Sequence, residues 1–232
     1  MSQRKRPTMT SVTIASDNAA DSTKANGGDT ITVSMVASEA LVAPTVTIAG
    51  QAATVSGSGT SWTASYAVVA ASVSEGACSV AITFADLASN AGAAVASTTD
   101  SSSVEIDKTP PSLTSVSITS NNAMDATRAN VGDTITLTIL ASEAIVLSSQ
   151  DVLVSGQSAT PNGGGKNWTA SHLIVTNGVA EGAAWIRVNF RDLASNGGNT
   201  VSAVTDGSAV TIDLTAPTLP SVSIASDNAL DT

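Results

Sequence analysis

The sequence repeats itself with a period of 104 to 106 residues. The segment SVTIASD at 11–17 returns as SVSITSN at 115–121 and again as SVSIASD at 221–227, and Trp62 returns as Trp168. A period of this length corresponds to a whole small domain and not to one turn of a solenoid. The chain is therefore predicted to be a tandem array of modules, each with its own hydrophobic core.

The period divides the 232 residues into two full modules and two end pieces. Each full module is long enough to bury a core of its own. The segment KTPP follows strand G of the first module. Proline fixes φ and removes a backbone donor, so the link between modules is predicted to be short and stiff. The predicted divisions are a basic lead at 1–10, a first module at 11–113, a second module at 114–219 and the start of a third repeat at 220–232.

Apolar residues alternate with Ser and Thr inside each module, for example in ITVSM at 31–35 and VAITF at 80–84. A period of two residues is typical of strands with one buried face, and no segment of helical length shows a period of 3.6. The sequence predicts an all-β chain: two tandem immunoglobulin-like antiparallel β-sandwiches of about seven strands each, plus the first strand of a third repeat. In the first module, strands A to G are predicted near residues 11–16, 29–37, 44–49, 52–56, 61–69, 78–85 and 102–107.

The composition excludes several classes of function. The formal net charge is −10, and three of the nine basic residues stand at positions 4–6. Nucleic acid binding needs a basic face, so no nucleic acid partner is expected. No apolar stretch is long enough to span a bilayer, so no membrane span is predicted in this segment. With one histidine, one cysteine and no Gly-x-Ser-x-Gly segment, the chain is predicted not to be an enzyme.

Carboxylates and amides from neighbouring modules are predicted to meet where two modules join. In an immunoglobulin-like sandwich, the loops after strands B and F lie at the end of the module that faces the preceding one, and strand G of the preceding module ends there as well. Strand B ends in ASEA and strand F in DLASN in both copies. The residues brought to the junction are Asp107, Glu143, Asp192 and Asn196, and their counterparts at the outer ends are Glu39, Asp86, Asn90 and Asp213.

This inventory of oxygen ligands suits Ca²⁺, which takes six to eight oxygens from carboxylates, amides, carbonyls and water. Without a cation the carboxylates would repel one another, so the junction is predicted to be loose without metal and rigid with it. A second acidic cluster, in the long turn between strands A and B, contains Asp17, Asp21 and Asp125. It is predicted to bind an ion of its own or to face the next junction; the alternative is that these residues only form Asx-turns.

Three residues of the second module mark a different kind of surface. The parity of strand F turns Trp185, Arg187 and Arg191 away from the core, whereas their counterparts in the first module are Ser79, Ala81 and Ala85. An outward Trp beside two arginines could stack a sugar or dock a neighbouring subunit. The sequon Asn167-Trp168-Thr169 makes Asn167 a glycosylation candidate in a secreted eukaryotic protein.

The chain resembles the bacterial Ig-like repeat modules of large cell-surface adhesins and other giant repetitive extracellular proteins. The resemblance covers residue 11 onward and lies in the SVTIASDNA opening, the GDTITV strand, the ITFADLASN segment and the IDKTPP linker. It implies an extracellular or cell-surface location and a role as an extender, with calcium at the linkers stiffening the array. The chain departs from this pattern at Asn121, which replaces Asp17, and at Leu214, which replaces Lys108.

The expected function is a non-catalytic structural or extender segment of an adhesin or surface fibre, stiffened by Ca²⁺ at module junctions. Its expected partners are neighbouring Ig-like modules of the same chain or fibre, with glycans or a surface receptor as further candidates. Two alternatives remain open. One is an array of carbohydrate-binding modules that use Trp185. The other is a filament subunit that polymerises head to tail by strand exchange through the segment at 221–227.

Overall fold

A computed structural model describes residues 6–176 and 178–225. Within that range, the first module contains one 3₁₀ turn, Ala70–Ser72, and strands on either side of it. The strands are β1 (Met9–Ser16), β2 (Lys24–Ala25), β3 (Thr30–Ala37), β4 (Thr45–Ile48), β5 (Gln51–Ala52), β6 (Thr54–Ser58), β7 (Ser61–Ala67), β8 (Gly76–Ala77), β9 (Val80–Thr83) and β10 (Glu105–Ile106).

The strand order of the first module defines its architecture. One sheet has the order β1-β3-β7-β6, and the facing strands pair as β5-β4-β9 and β2-β10-β8. In the predicted lettering these are A-B-E-D on one side and C, F and G on the other, which is the arrangement of a seven-stranded immunoglobulin sandwich. The segment from β5 to β6 changes sheets within one residue, Ala53, because β5 pairs with β4 and β6 pairs with β7. The fold of the module is immunoglobulin-like.

The second module repeats this arrangement. Its main sheet has the order β11-β13-β18-β17, and its other strands pair as β16-β15-β20, β12-β22-β19 and β14-β21. The strands are β11 (Leu113–Ser120), β12 (Arg128–Ala129), β13 (Thr134–Ala141), β14 (Ile145–Val146), β15 (Val152–Val154), β16 (Gln157–Ser158), β17 (Thr160–Gly164), β18 (Asn167–Leu173), β19 (Gly182–Ala183), β20 (Ile186–Val188), β21 (Arg191–Asp192) and β22 (Thr211–Ile212).

Each module has its own core, and the two core clusters share no residue. Along β3, Ile31, Val33 and Met35 are buried, and the intervening Thr and Ser are more exposed, as the period-two pattern predicts. The second cluster repeats the pattern with Ile135 and Leu137, among others, on β13. Burial of alternate side chains from both sheets supplies the main favourable free energy of each sandwich.

Two features of strand G differ from prediction. It is expected over residues 102–107, but only Glu105–Ile106 pairs as a strand. It also pairs in parallel with β2, a short strand inside the predicted A–B turn. Residues 97–104 are irregular, and two of their side chains, Thr99 and Ser102, bond to β1, as described below.

The predicted first strand of a third repeat is not formed over the described residues. Residues 221–225 are exposed and lie outside every strand. Their counterparts in β1 are held by pairing with β3, and no described segment pairs with 221–225. Residues 226 and 227, the end of the predicted strand, lie outside the described residues.

The outer edge of strand A is covered by short side chains. In the first module, Val12 N–H donates to Thr99 Oγ1 over 3.0 Å, and Ile14 N–H donates to Ser102 Oγ over 2.9 Å. In the second module, Val116 and Ile118 donate in the same way to Thr205 and Ser208. An exposed strand edge is a site for strand addition, so these hydroxyls block pairing with another chain on this side. The observation weighs against the strand-exchange alternative.

Replacing Thr205 by Val is expected to weaken this covering. The variant keeps the shape of the side chain but removes the acceptor of the Val116 N–H, at a cost of about 1 kcal/mol. Native-state hydrogen exchange at Val116 should accelerate about fivefold. The exposed Thr218 offers a control, since Thr218→Val should leave that rate unchanged. An unchanged Val116 rate in Thr205→Val would show that water replaces the hydroxyl without loss.

Candidate metal centre at the module junction

The proximal end of a module, meaning the end that faces the preceding module, carries a preformed acidic loop. In the second module the two carboxylate oxygens of Asp192 accept hydrogen bonds from the backbone N–H and the side-chain amide of Asn196, over 2.8 and 2.9 Å. In the first module, Asp86 and Asn90 form the same two bonds. The residue before the Asn, Ser195, has a positive φ of 70° that closes the loop. The local sequence DLASN therefore fixes the aspartate before any ligand binds.

Three carboxylates meet at the junction between the modules. One oxygen each of Asp107, Glu143 and Asp192 lies within 4.8 Å of the others. Asp192 is fully buried, and the other two residues are half-buried. Among the residues that the structure describes, Lys24 and Glu105 form the one ion pair. No described lysine or arginine therefore neutralises the three carboxylates by direct contact.

The electrostatics of Glu143 reflect this arrangement. Burial raises the pKa of the Glu143 carboxyl above its ordinary value of 4.5, and the charges of Asp107 and Asp192 raise it further. Lys166 and Lys24 act in the opposite direction with smaller effects. The ionised cluster is therefore held together against its own repulsion, which a bound cation would relieve.

A pH dependence follows for the metal-free junction. Because the pKa of Glu143 is raised in the docked junction, protonation of its carboxyl stabilises the docked state. This contribution to the free energy of docking is complete below pH 4.5 and is lost as the pH rises through the raised pKa. In a chelating buffer, lowering the pH from neutral to 4.5 should tighten the junction, measured as a narrower distance distribution between spin labels on the two modules. A distribution that broadens on acidification would contradict this prediction.

Hydrogen bonds across the junction surround the three carboxylates. The Asn196 side-chain amide donates to the backbone oxygen of Asp107 over 3.0 Å, and the Asn26 amide donates to Asn196 Oδ1 over 3.3 Å. The Asn18 amide donates to Ser195 Oγ over 3.3 Å. The A–B turn of the first module thus faces the junction, in agreement with one of the two predictions for it.

The internal repeat supplies a control for the contact between modules. In the DLASN loop of the first module, Leu87 is 74% exposed and Ala88 is also exposed. In the second module, the counterpart Leu193 is half-buried and Ala194 is only 1% exposed. On the opposite side, Asn18 is 6% exposed, and its counterpart Asn122 is half-buried. The same residues are therefore more buried where they face the other module.

The linker between the modules has no free backbone donor. Asp107 N–H bonds to Ala25 O, Lys108 N–H to Glu75 Oε1 over 2.7 Å, and Thr109 N–H to its neighbour Asp107 Oδ1. Pro110 and Pro111 have no N–H, and Ser112 N–H bonds to Ser142 Oγ. The bond from the Lys108 N–H, with a second bond from the Thr109 hydroxyl, lowers the pKa of Glu75, and the bonds together tie the linker to both modules. Because each donor is bonded or missing, the linker has little conformational freedom.

The outer counterparts of the cluster are not brought together with the central three. Glu39, Asp86 and Asn90 lie at the proximal end of the first module, and Asp213 is exposed at the distal end of the second. A cleft of 510 Å³ opens beside Asp213, bordered by Asn122 and Asn130. These three residues are the counterparts of Asp107, Asn18 and Asn26. The cleft therefore lies on the face of the second module that corresponds to the junction face of the first module, which the second module covers.

The three aspartates of the A–B turns hold the turns together by hydrogen bonds. Asp17 Oδ1 accepts the Thr30 N–H over 2.7 Å and so ties the start of the turn to the start of β3. Asp21 and Asp125 each accept the N–H and the hydroxyl of the threonine two residues later, which lowers both pKa values. Among the described residues they do not belong to the group of three carboxylates. Metal binding at these turns stays a prediction, and the structure shows Asp21 and Asp125 in Asx-turns.

The substitution of Asn121 for Asp17 has a simple explanation. Asn121 Oδ1 accepts the Thr134 N–H over 2.6 Å, just as Asp17 accepts that of Thr30. Either side chain supplies the single oxygen that the bond needs.

Several contacts were not predicted from the sequence. The individual hydrogen bonds that Asn18, Asn26 and Ser195 make across the junction were not foreseen, nor was the anchoring of the linkers by Glu75 and its counterpart Glu181. The recurrence of Glu-Gly at 75–76 and 181–182 was the available signal for the anchors. Asn167, the sequon residue, is exposed at the start of β18, and glycosylation there stays a prediction.

Comparisons with known proteins give distant structural likenesses. No protein-family model matches the chain, and no curated protein matches it. Fibronectin(III)-like modules of Clostridium thermocellum CbhA align at 14% identity with a TM-score of 0.38, over 87% of this chain and 93% of that chain. Two titin Ig tandems align at 13% identity (TM-score 0.34, 82% of this chain and 62% of that one) and 11% identity (TM-score 0.26, 91% and 98%). The fold assignment rests on the strand order described above.

The described part of the chain contains no helix with the length and apolar character needed to cross a membrane.

Proposed function

We propose that this chain is a non-catalytic extender segment of a longer repetitive protein, extracellular or on a cell surface, whose modules are fixed relative to one another by Ca²⁺. The observation that carries the proposal is the group formed by Asp107, Glu143 and Asp192, which two modules build jointly. A site that exists only when two modules are docked links cation binding to the shape of the array.

The residues at the junction fit a hard cation. The three carboxylates are oxygen ligands, and no histidine or thiolate belongs to the group. Oxygen-only sites favour Ca²⁺ or Mg²⁺ over zinc or copper. Ca²⁺ tolerates irregular geometry and takes six to eight oxygens, so carbonyls and water would complete the shell, whereas Mg²⁺ demands a near-ideal octahedron. An irregular group of two aspartates and one glutamate therefore suits Ca²⁺ better.

The linker supports the same role independently of metal. Its backbone donors are all bonded or absent, and Glu75 and Ser142 attach it to the modules on either side. A stiff linker limits the angles between modules, and the cation would remove the remaining freedom by cancelling the carboxylate repulsion. An array of such units keeps whatever lies beyond its ends at a fixed distance.

Small-angle scattering and melting curves of the native chain in Ca²⁺, in Mg²⁺ and in a chelator test the proposal. With Ca²⁺ the maximum dimension should become better defined and larger, and the melting temperature should rise. At a free Ca²⁺ concentration 100 times the Kd, the expected stabilisation is about 2.7 kcal/mol. Identical profiles in all three buffers would remove the metal from the proposal and leave only the linker as the source of stiffness.

A further inference from the structure

The second module has a basic and aromatic face that the first module lacks. Residues 185, 187, 189 and 191 point outward because they alternate with the buried Ile186, Val188, Phe190 and Asp192. In the second module these outward residues are Trp, Arg, Asn and Arg. In the first module the counterparts are Ser79, Ala81, Thr83 and Ala85. Since both modules have the same strand order, the fold does not require the large side chains.

Trp185 is held as an open platform. Its side chain is 52% exposed. The ring lies over Gly156, where an added Cβ would stand 3.4 Å from Trp185 Cζ2, and the Trp185 backbone oxygen accepts the Ser155 N–H over 2.8 Å. Gly156 has a φ of 85° in the β15–β16 hairpin. The indole is therefore supported by the hairpin and exposes an apolar surface to solvent.

Arg187 and Arg191 continue the row from this platform. Both are exposed, and within the described range neither lies at ion-pair distance from a carboxylate. Residues two apart on one face of a strand are about 7 Å apart, so the row from Trp185 to Arg191 extends about 20 Å. At its end Arg191 borders a groove of 400 Å³ between the modules, together with Ala19 and Ser195.

We propose that this row, Trp185, Arg187 and Arg191, binds an acidic polysaccharide. A guanidinium pairs with a carboxylate through two parallel hydrogen bonds, and an indole packs against the C–H face of a sugar ring. Stable protein partners need about 800 Å² of buried surface on each side, whereas a row one side chain wide matches an extended polymer chain. The rest of the surface is acidic, with a net charge of −10, so it would repel a polyanion and confine binding to this row.

The first module defines the matched variant. Trp185→Ser, Arg187→Ala and Arg191→Ala together install the residues that the first module carries at the same positions. A control with the same change in net charge is Arg6→Ala with Arg128→Ala, since both arginines are exposed elsewhere. A melting curve of each variant verifies that it is folded.

Affinity electrophoresis in gels containing polygalacturonate tests the proposal, with neutral dextran as the comparison polymer. Because Ca²⁺ crosslinks polygalacturonate, the gels contain a chelator, which also separates this result from the junction site. The native chain and the charge control should be retarded by polygalacturonate but not by dextran, and retardation should fall at least tenfold in the triple variant. The tryptophan fluorescence of the native chain should shift when oligogalacturonate is added, and the shift should be absent from the triple variant, which lacks Trp185 alone of the three tryptophans. Equal retardation of the triple variant, equal retardation by dextran, or no retardation of the native chain would each overturn the proposal.

Discussion

Replacing Glu143 by glutamine is expected to shift the response of the chain to at least tenfold higher Ca²⁺ concentration and, at the same time, to tighten the metal-free junction. The substitution removes one of three negative charges, which should weaken Ca²⁺ binding at least tenfold, or about 1.4 kcal/mol. It also removes a carboxylate whose pKa is raised by burial and by Asp107 and Asp192, so the repulsion in the empty cluster falls. These two effects have opposite signs, and a merely structural carboxylate would not produce both.

The measurement is a distance distribution between spin labels on the two modules, recorded in chelator and across a Ca²⁺ titration. The matched control is Glu39→Gln, because Glu39 is the counterpart of Glu143 at an end that faces no described module. The control should behave as the native chain in both conditions. If the distance distribution of Glu143→Gln narrows at the same Ca²⁺ concentration as that of the native chain, Glu143 is not a ligand.

Replacing Gly198 by alanine is expected to destabilise the second module by about 3 kcal/mol. A Cβ at this position would lie 2.2 Å from Phe190 Cε2, and the Phe190 ring is 6% exposed in the core. The ring cannot move away without displacing other core side chains, since protein interiors are close-packed. Urea unfolding of the whole chain should show the transition of the second module moving to lower urea.

The neighbouring glycine provides the control for this prediction. A Cβ on Gly197 would meet nothing within 4 Å, so Gly197→Ala should change the midpoint little. The first module has the same close approach between Gly92 and Phe84. Gly92→Ala should therefore shift the transition of the first module alone. Equal urea midpoints for Gly198→Ala and Gly197→Ala would show that the Phe190 ring can move without lowering the stability of the second module.

The regular strands could be predicted from the sequence because their side chains follow one physical rule. Residues 30–37 alternate between core and surface, and the structure has β3 over Thr30–Ala37. Strand G could not be placed correctly. Ser102 and Thr99 are strand-compatible residues, but their hydroxyls bond to β1 and take their segment out of the ladder.

The candidate site was predictable in part for a similar reason. Alternating strand directions bring the end of strand G and the loops after strands B and F to one junction, so Asp107, Glu143 and Asp192 could be placed together. The A–B turn was predicted to face the next junction as one alternative, but the individual contacts of Asn18 and Asn26 could not be placed, because the path of the turn depends on side-chain hydrogen bonds such as that from the Asn18 amide to Asp29. Such bonds fix a turn only after the rest of the module has formed.

The parallel pairing of β2 with β10 determines how a module carries mechanical load. Glu105 N–H bonds to Thr23 O and Asp107 N–H bonds to Ala25 O, and the second module repeats both bonds. Pulling the two ends of the chain apart slides parallel strands past each other, so these bonds are loaded together in shear instead of opening one after another. Asp107 provides the last of these bonds and one carboxylate of the junction. Tension on this strand pair is therefore passed to a residue that also contributes to the contact with the next module.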